Sequence, residues 1–203
     1  MSAIRSFVAI CAFLVLVSCA GVGIIATSDP LAKLNDAEDL FDRQDRPLPA
    51  ERLIREAMTI YQERGDPHGL GHAYREYGDF LRSPSIAKWE MVFRRDGFRD
   101  PSVTFENRLA KASEYYAKAL DYYLRAEEQL RGSEKYDSLS NVYVNMAWSY
   151  FMLSDRVRAC DFLDKSLEAY SENIRRNPSA KPYSSSGTFP QSVESKKKYV
   201  GCA

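Results

Sequence analysis

The fold is decided most clearly by residues 143–167, which read YVNMAWSYFMLSDRVRACDFLDKSL. Small residues lie at Ala147, Ala159 and Ser166, and large apolar residues lie three or four positions away from each of them. This spacing places small and large residues together on one face of each of two helices, with a turn at Asp155 between them. Helices approach closely where small residues face each other, so the segment predicts a tightly packed helix pair.

The same pattern recurs upstream. The second helix of each of three predicted pairs has the same spacing of small and large residues: Ala50, Ile54, Ala57 and Met58; Ala112, Tyr116, Ala119 and Leu120; Ala159, Leu163, Ser166 and Leu167. The first helix of each pair has another common spacing, of which the last copy is degenerate: Tyr74, Tyr77, Gly78 and Leu81; Tyr143, Met146, Ala147 and Tyr150; Leu34, Ala37, Glu38 and Phe41. On these residues the chain resembles the tetratricopeptide-repeat family, whose units are helix-turn-helix pairs. The resemblance spans about residues 31–176 and lacks the closing proline of the family.

This resemblance implies an all-α fold over residues 29–176, a TPR-like solenoid of about three antiparallel helix pairs. An ordinary helical bundle with coincidental spacing is the alternative. Three Asp-Pro steps, at residues 29–30, 66–67 and 100–101, each predict a helix start, because Asp caps a helix and Pro fits its first turn. No useful stretch alternates with period two, so no strand is predicted.

Two segments depart from the repeat pattern. Residues 83–104 form an insertion in the middle unit, and apolar side chains such as Trp89, Phe93 and Phe98 make it unlike a solvated loop. The insertion therefore either packs on the edge of the repeats or presents a hydrophobic contact to a partner. Residues 177–203 contain three X-Pro steps and a serine run, which predict an irregular C-terminal tail.

Residues 1–18 have the pattern of a secretory signal peptide. Arg5 precedes an unbroken run of eleven apolar residues, 7–17, that ends in small residues. At about 1.5 Å per residue the run spans roughly 16 Å, too short for a hydrocarbon core of about 30 Å. A permanent transmembrane helix is therefore the weaker interpretation.

Residues 16–19, Leu-Val-Ser-Cys, resemble the lipobox of bacterial lipoproteins. The resemblance implies cleavage before Cys19 and acylation of that cysteine with palmitate-like chains, which leaves residues 19–28 as a lipidated tether. Ala20 follows where an Asp would indicate inner-membrane retention, so the family pattern points to the outer membrane. A plain signal peptide cleaved elsewhere is the alternative.

Two cysteines remain in the mature chain, Cys160 and Cys202. An exported compartment is oxidising, so this pair predicts a disulfide that fastens the tail to the helical domain. Closing a loop of about forty residues would stabilise the fold by roughly 3 to 4 kcal/mol. Two free thiols are the alternative.

The sequence gives little support for an enzyme. His68, His72 and Glu76 lie four residues apart and could share a helical face as metal ligands, but their Gly-rich surroundings favour a solvated surface. No phosphate-binding loop, nucleophile elbow or locally activated nucleophile is present, so we expect no catalytic residues, metal or cofactor. The 28 Lys and Arg residues balance 28 Asp and Glu, which argues against a nucleic-acid partner.

In such a solenoid the first helices line a concave groove, and their outward positions are the predicted partner-binding surface. These candidates are Asp39, Arg75, Asp79, Arg82, Trp148 and Phe151. Arg and Trp are frequent binding anchors, which favours Arg75, Arg82 and Trp148. Alternatively, the tail covers Trp148 and Phe151 through Tyr183 or Phe189.

Taken together, these features predict a lipid-anchored protein of the bacterial cell envelope, at the outer membrane and facing the periplasm. Its TPR-like domain would bind a protein or peptide partner as a scaffold or assembly factor. An inhibitor or immunity-type protein that blocks one partner is the second interpretation, and an accessory to a lipid-anchored enzyme is the third.

Overall fold

The computed structural model describes residues 27–179 and 188–202, so the predicted signal peptide and Cys19 lie outside the described residues. The described residues form nine helices and no strand. The helices are α1 (Pro30–Asp42), α2 (Pro47–Glu63), α3 (Pro67–Arg82), α4 (Pro84–Lys88), α5 (Glu90–Asp96), α6 (Arg108–Gly132), α7 (Tyr136–Met152), α8 (Arg156–Arg176) and α9 (Phe189–Val200). The prediction of an all-helical fold is therefore confirmed.

The long helices pack mainly in three pairs: α1 with α2, α3 with α6, and α7 with α8. Each pair also contacts the next, through α2 against α3 and through α6 against α7. The first helices touch each other as well, α3 lying between α1 and α7. The core consists of two clusters of buried side chains, one from α1 to the start of α6 and one from the rest of α6 to α9, and the partly buried Tyr74 and Leu153 pack against both.

Two of the three Asp-Pro steps begin a helix as predicted. Asp29 caps α1 by accepting the amide of Leu31, and Asp66 caps α3 by accepting the amide of Gly69, each at 3.0 Å. The prediction for Asp100 was wrong, because its carboxylate accepts the amide of Ser102 in a local turn and the hydroxyl of Tyr115. Helix α6 begins instead at residue 108.

The small residues of the sequence pattern are buried. Ala57, Ala112, Ala119, Ala147 and Ala159 are all at most 1 % exposed. The spacing predicts each of them on the packed face of its helix, and their burial agrees with that prediction.

The insertion packs onto the repeats. Phe93 and Phe98 stack with ring centroids 4.3 Å apart, and both meet the buried ring of Phe80 in edge-on contacts. The carboxylate of Glu51 accepts the amide of Arg99 at 2.7 Å and the hydroxyl of Tyr77 at 2.6 Å. These contacts favour packing over presentation of the insertion as an apolar surface.

The prediction of an irregular tail was wrong for residues 189–200, which form α9. Pro190 lies in the first turn, where it breaks no hydrogen bond, and Thr188 forms a capping box with Gln191. The buried side chains of Phe189, Val193 and Val200 recur at helical spacing and pack α9 against α8. The C-terminal segment is thus an added helix at the end of the last pair.

Candidate functional site

A cavity of about 560 Å³ lies between the three first helices and α9. Helices α1 and α3 supply most of its charged side chains, whereas α7 supplies Val144, Asn145 and Trp148. The charged residues of the lining are Glu38, Asp42, Arg75, Glu76, Asp79, Arg82 and Lys196. The cavity therefore has a charged wall opposite a more apolar one.

An ionic cluster on α3 forms the deepest part of this wall. The guanidinium of Arg75 donates to Glu76 at 2.8 Å and also pairs with Asp79. The side chains of Arg75, Glu76 and Asp79 are 15 %, 2 % and 18 % exposed. Arg75 was predicted as a partner anchor, but its charge is already neutralised within its own helix.

Asp79 joins this cluster to the neighbouring helices. Its Oδ1 accepts a hydrogen bond from the hydroxyl of Tyr116 at 2.7 Å and another from the indole nitrogen of Trp148 at 3.0 Å. Tyr116 belongs to α6 and Trp148 to α7, so one carboxylate links the second and third helix pairs. Neutral donors and Arg75 together satisfy the negative charge of Asp79.

Burial shifts the protonation of the neighbouring groups. Removal from water, with smaller contributions from the negative charges of Asp79 and Glu38, raises the pKa of Glu76 to about 8 against the opposing effect of Arg75. Burial also lowers the pKa of His72 to about 3, with a further contribution from Arg75. At neutral pH His72 is therefore uncharged, and Glu76 is largely protonated.

The rim of the cavity carries four exposed charges. Glu38 and Asp42 on α1 are acidic, whereas Arg82 at the end of α3 and Lys196 on α9 are basic. None of these four forms an ion pair with another residue of the described chain. The rim thus offers charges of both signs to a ligand.

A second cavity of about 670 Å³ continues from the first, between α7 and α9. The two share Val144, Trp148, Lys196 and Val200 in their linings. The rest of the second lining is uncharged and combines aromatic rings with hydroxyl and amide side chains. Together the cavities form one crevice along α7, which we call the α7 groove.

Four of the six predicted binding residues line this groove: Arg75, Asp79, Arg82 and Trp148. Asp39 and Phe151 do not. Asp39 instead accepts hydrogen bonds from Arg43 and Gln44 on the outer surface, because it lies one position away from the lining residue Glu38. Phe151 packs its ring 5.7 Å from that of Trp148.

The C-terminal segment covers part of this surface, as the alternative prediction held, but through a different residue. The ring of Tyr199 lies 6.2 Å from that of Trp148 and 5.7 Å from that of Phe151. Phe189 packs on Tyr170 instead, and Tyr183 lies outside the described residues. The cover is partial, because Trp148 still lines both cavities.

The sulfur atoms of Cys160 and Cys202 are 2.03 Å apart, at disulfide distance. Arg156 adds a second link between α8 and the end of α9 by donating to the carbonyl of Val200 at 2.9 Å. These contacts fix the end of α9 that faces the groove.

The candidate metal ligands do not form a cluster. His72 Nε2 lies 4.0 Å from Glu76 Oε2, and no group of three or more His, Cys, Asp and Glu side chains in the described part of the chain is arranged to hold a metal ion.

Within residues 27–179 and 188–202, no helix is long and apolar enough to cross a membrane.

Sequence reasoning missed Glu76 and Asn145 as groove residues and did not predict a helix at residues 189–200. It considered Glu76 only as a metal ligand, and Asn145 lies one helical turn before the predicted residue Trp148. The Thr-x-x-Gln capping signal at residues 188–191 could have revealed the helix.

Comparisons of the chain with protein-family models, with curated proteins and with solved structures found no match. The function is therefore inferred from the geometry of the α7 groove and from the sequence.

Proposed function

We propose that this chain is a TPR-like scaffold or assembly factor that binds a segment of a protein partner in the α7 groove. The observation that supports this most is the groove itself, which is formed by three first helices and carries unpaired charges at its rim. A surface of this kind suits an extended peptide, because side chains of the peptide can enter successive pockets.

The order in which the helices contact one another supports the TPR-like interpretation. Helix α3 contacts α1 on one side and α7 on the other, as first helices of successive repeats do. Helix α9 packs on α8, which is the second helix of the last pair. A terminal repeat needs a cover for its apolar face, and we assign this role to α9.

The nature of Trp148 supports a binding role for the groove. Its indole nitrogen is held by Asp79 at 3.0 Å, which fixes the ring in one orientation. A fixed aromatic ring loses little conformational entropy when it contacts a ligand, and Trp is the residue type most enriched at binding hot spots.

We also propose that the scaffold is anchored by lipid on Cys19 at the outer membrane, facing the periplasm. The lipobox-like residues 16–19 and the small residue at position 20 support this. Cys160 and Cys202 at disulfide distance are compatible with an oxidising compartment. Exchange of Cys19 for Ser should move the protein from the membrane fraction to the soluble fraction, and retention on the membrane would exclude lipid as the anchor.

Site-specific photo-cross-linking in intact cells tests the binding surface. A photoreactive amino acid is placed at Glu38 or Asn145, which line the groove, and in a matched control at Glu128, an exposed position of α6 that does not. We expect a discrete protein adduct from both groove positions and none from the control.

The identity and pattern of the adducts separate the candidate functions. A structural envelope protein as the adduct supports the scaffold, whereas a single toxin-like enzyme supports the inhibitor or immunity-type alternative. Equal labelling from Glu128, or no adduct from the groove, would contradict binding at this surface.

A further inference from the structure

The ionic cluster below the groove holds two carboxyl groups and a single guanidinium. Glu76 and Asp79 both pair with Arg75. Asp79 receives two additional hydrogen bonds from Tyr116 and Trp148, whereas Glu76 receives none besides that of Arg75. Glu76 is therefore the less satisfied of the two, and no second cation balances it when it loses its proton.

One oxygen of Glu76 is unsatisfied. Its Oε1 is buried and has no hydrogen-bond partner among the described residues. Glu76 is 2 % exposed yet belongs to the lining of the cavity, so it lies at the bottom rather than at the rim. A buried polar atom without a partner is costly, and a ligand that supplies a donor removes that cost.

The other groups around Glu76 do not supply this donor. His72 on the same helix is neutral, and its ring nitrogen lies 4.0 Å from the opposite oxygen, Oε2. The hydroxyl of Tyr123 from α6 is buried near the cluster, but, like Arg75 Nε, it has no hydrogen-bond partner among the described residues and so makes no bond to Oε1. Glu38 from α1 adds a further negative charge on the groove side.

An acidic residue of the rim acts on Glu76. Besides Arg75 and Asp79 within the cluster, Glu38 on α1 is the charged residue with the largest influence on the pKa of Glu76. Neither Glu38 nor Asp42, which also lines the cavity, forms an ion pair with another residue of the described chain. The cavity therefore carries unpaired negative charge beside Glu76.

We propose that this part of the groove binds a basic side chain, Lys or Arg, of the partner segment, with its cationic group against the carboxylates of Glu76 and Glu38. The inference rests on the proposed function, because it names the chemistry of the residue that the bound segment inserts. The cation would replace the proton of Glu76, balance the charge of the resulting carboxylate and donate a hydrogen bond to its Oε1. The apolar stem of the side chain would lie along Val144 and Trp148, since long basic side chains bury their methylenes while the charged head seeks polar partners.

Trp148 provides a direct reporter of this site. The chain has only two tryptophans, Trp89 in the insertion and Trp148 in the groove, so the full-length protein labelled with isotopic tryptophan gives two indole N–H resonances. The indole of Trp148 donates to Asp79, one member of the cluster, whereas Trp89 does not line the groove. The Trp89 resonance is therefore an internal control.

The experiment titrates the full-length protein in detergent with N-acetyl-arginine amide and, separately, with N-acetyl-norleucine amide, a neutral probe of similar length. We expect the arginine probe alone to shift the Trp148 resonance in a saturable manner. Glu76→Gln should weaken this binding by about tenfold or more, as loss of a charge-assisted contact does. Glu128→Gln, an exposed substitution of the same kind, should leave it unchanged.

The pH dependence provides a second readout in the wild-type protein. Because a proton and the cation compete for Glu76, binding of the arginine probe should strengthen as the pH rises from 6.5 through the pKa of Glu76, and the Glu76→Gln variant should lack this increase. Equal shifts by the neutral probe, or no shift by the arginine probe at any pH, would overturn the proposal. If the arginine probe causes no shift but a photoreactive amino acid at Glu38 still gives a protein adduct, the groove remains a binding surface and only its basic ligand is rejected.

Discussion

The substitution Gly78→Ala tests how closely α3 and α6 are packed. A Cβ atom at position 78 would lie 2.8 Å from Cε1 and 2.9 Å from Cζ of Tyr116, well inside van der Waals contact. Tyr116 is fully buried, and its hydroxyl is held by Asp79 at 2.7 Å. The ring therefore cannot rotate away without losing a buried hydrogen bond.

Two opposing effects set the magnitude. Alanine is favoured over glycine inside a helix by about 1 kcal/mol. Overpacking of a filled core costs about 1 to 3 kcal/mol, and weakening the Tyr116 hydrogen bond adds about 1 kcal/mol. The packing cost exceeds the propensity gain, so we expect Gly78→Ala to lower the free energy of unfolding by roughly 1 to 3 kcal/mol.

Urea unfolding followed by circular dichroism measures this difference. The matched control is Gly132→Ala at the end of α6, where a Cβ would meet no atom within 4 Å. That substitution should be neutral or stabilise the protein by up to about 1 kcal/mol. If Gly78→Ala is as stable as Gly132→Ala, the close approach of α3 and α6 and the contact pattern built on it are wrong.

Three further predictions concern the ionic cluster, the disulfide and a helix cap. The free energy of unfolding of the wild type should fall as the pH rises from 4.5 to about 8, because Glu76 keeps its proton longer in the folded than in the unfolded state; Glu76→Gln should remove up to about 5 kcal/mol of this dependence in urea titrations at several pH values. Loss of the Cys160–Cys202 bond, which spans 42 residues, should lower stability by up to about 4 kcal/mol, measured as the Cys202→Ser variant against the wild type without reductant. Asp66→Ala should cost about 1 kcal/mol by thermal unfolding, because the amide of Gly69 loses its partner.

Each of these has a contradicting outcome. An identical pH profile for Glu76→Gln and wild type would show that Glu76 is ionised in the folded state. Full alkylation of both cysteines in the unreduced mature protein would show that no bond forms between them. No loss of stability in Asp66→Ala would mean that water replaces the cap of α3.

Much of the fold could be predicted because local sequence patterns determine where the helices begin and which of their faces are buried. The small residues Ala112 and Ala119, with Tyr116 between them, recur at the helical period, and all three are buried in the contact of α6 with α3. Asp66-Pro67 carries both a cap and a favourable first residue, so that helix start was readable without tertiary information. In contrast, the carboxylate of Asp100 accepts a hydrogen bond from the hydroxyl of Tyr115 on α6. No local sequence pattern predicts this contact with a later helix.

The C-terminal helix was missed for a different reason. Pro190 was interpreted as a helix breaker, although proline is harmless in the first turn. The apolar residues Phe189, Val193 and Val200 already had helical spacing, and Thr188 with Gln191 formed a readable capping box. The error therefore lay in giving a proline more weight than its position in the helix warranted.

The groove was predictable only in part. The prediction that outward positions of α3 and α7 line the groove was correct for Arg82 and Trp148, because helical periodicity fixes which side chains share a face. The burial of Glu76 depends instead on how α1 and α7 flank α3, and the sequence of one helix contains no information on that arrangement. The pairing of Arg75 with Glu76 and Asp79 is different, because all three residues belong to α3 and helical spacing brings Arg75 and Asp79 together.

The central claim is that the α7 groove, which is lined by α1, α3, α7 and α9, binds the partner. Hydrogen–deuterium exchange of the full-length protein, with and without the partner cross-linked from Glu38 or Asn145, tests it most directly. The account predicts slower exchange in peptides from α3, α7 and α9 and no change in α2 and the exposed part of α6. Protection confined to α2, α6 and α8 would place the partner on the opposite face and contradict the account.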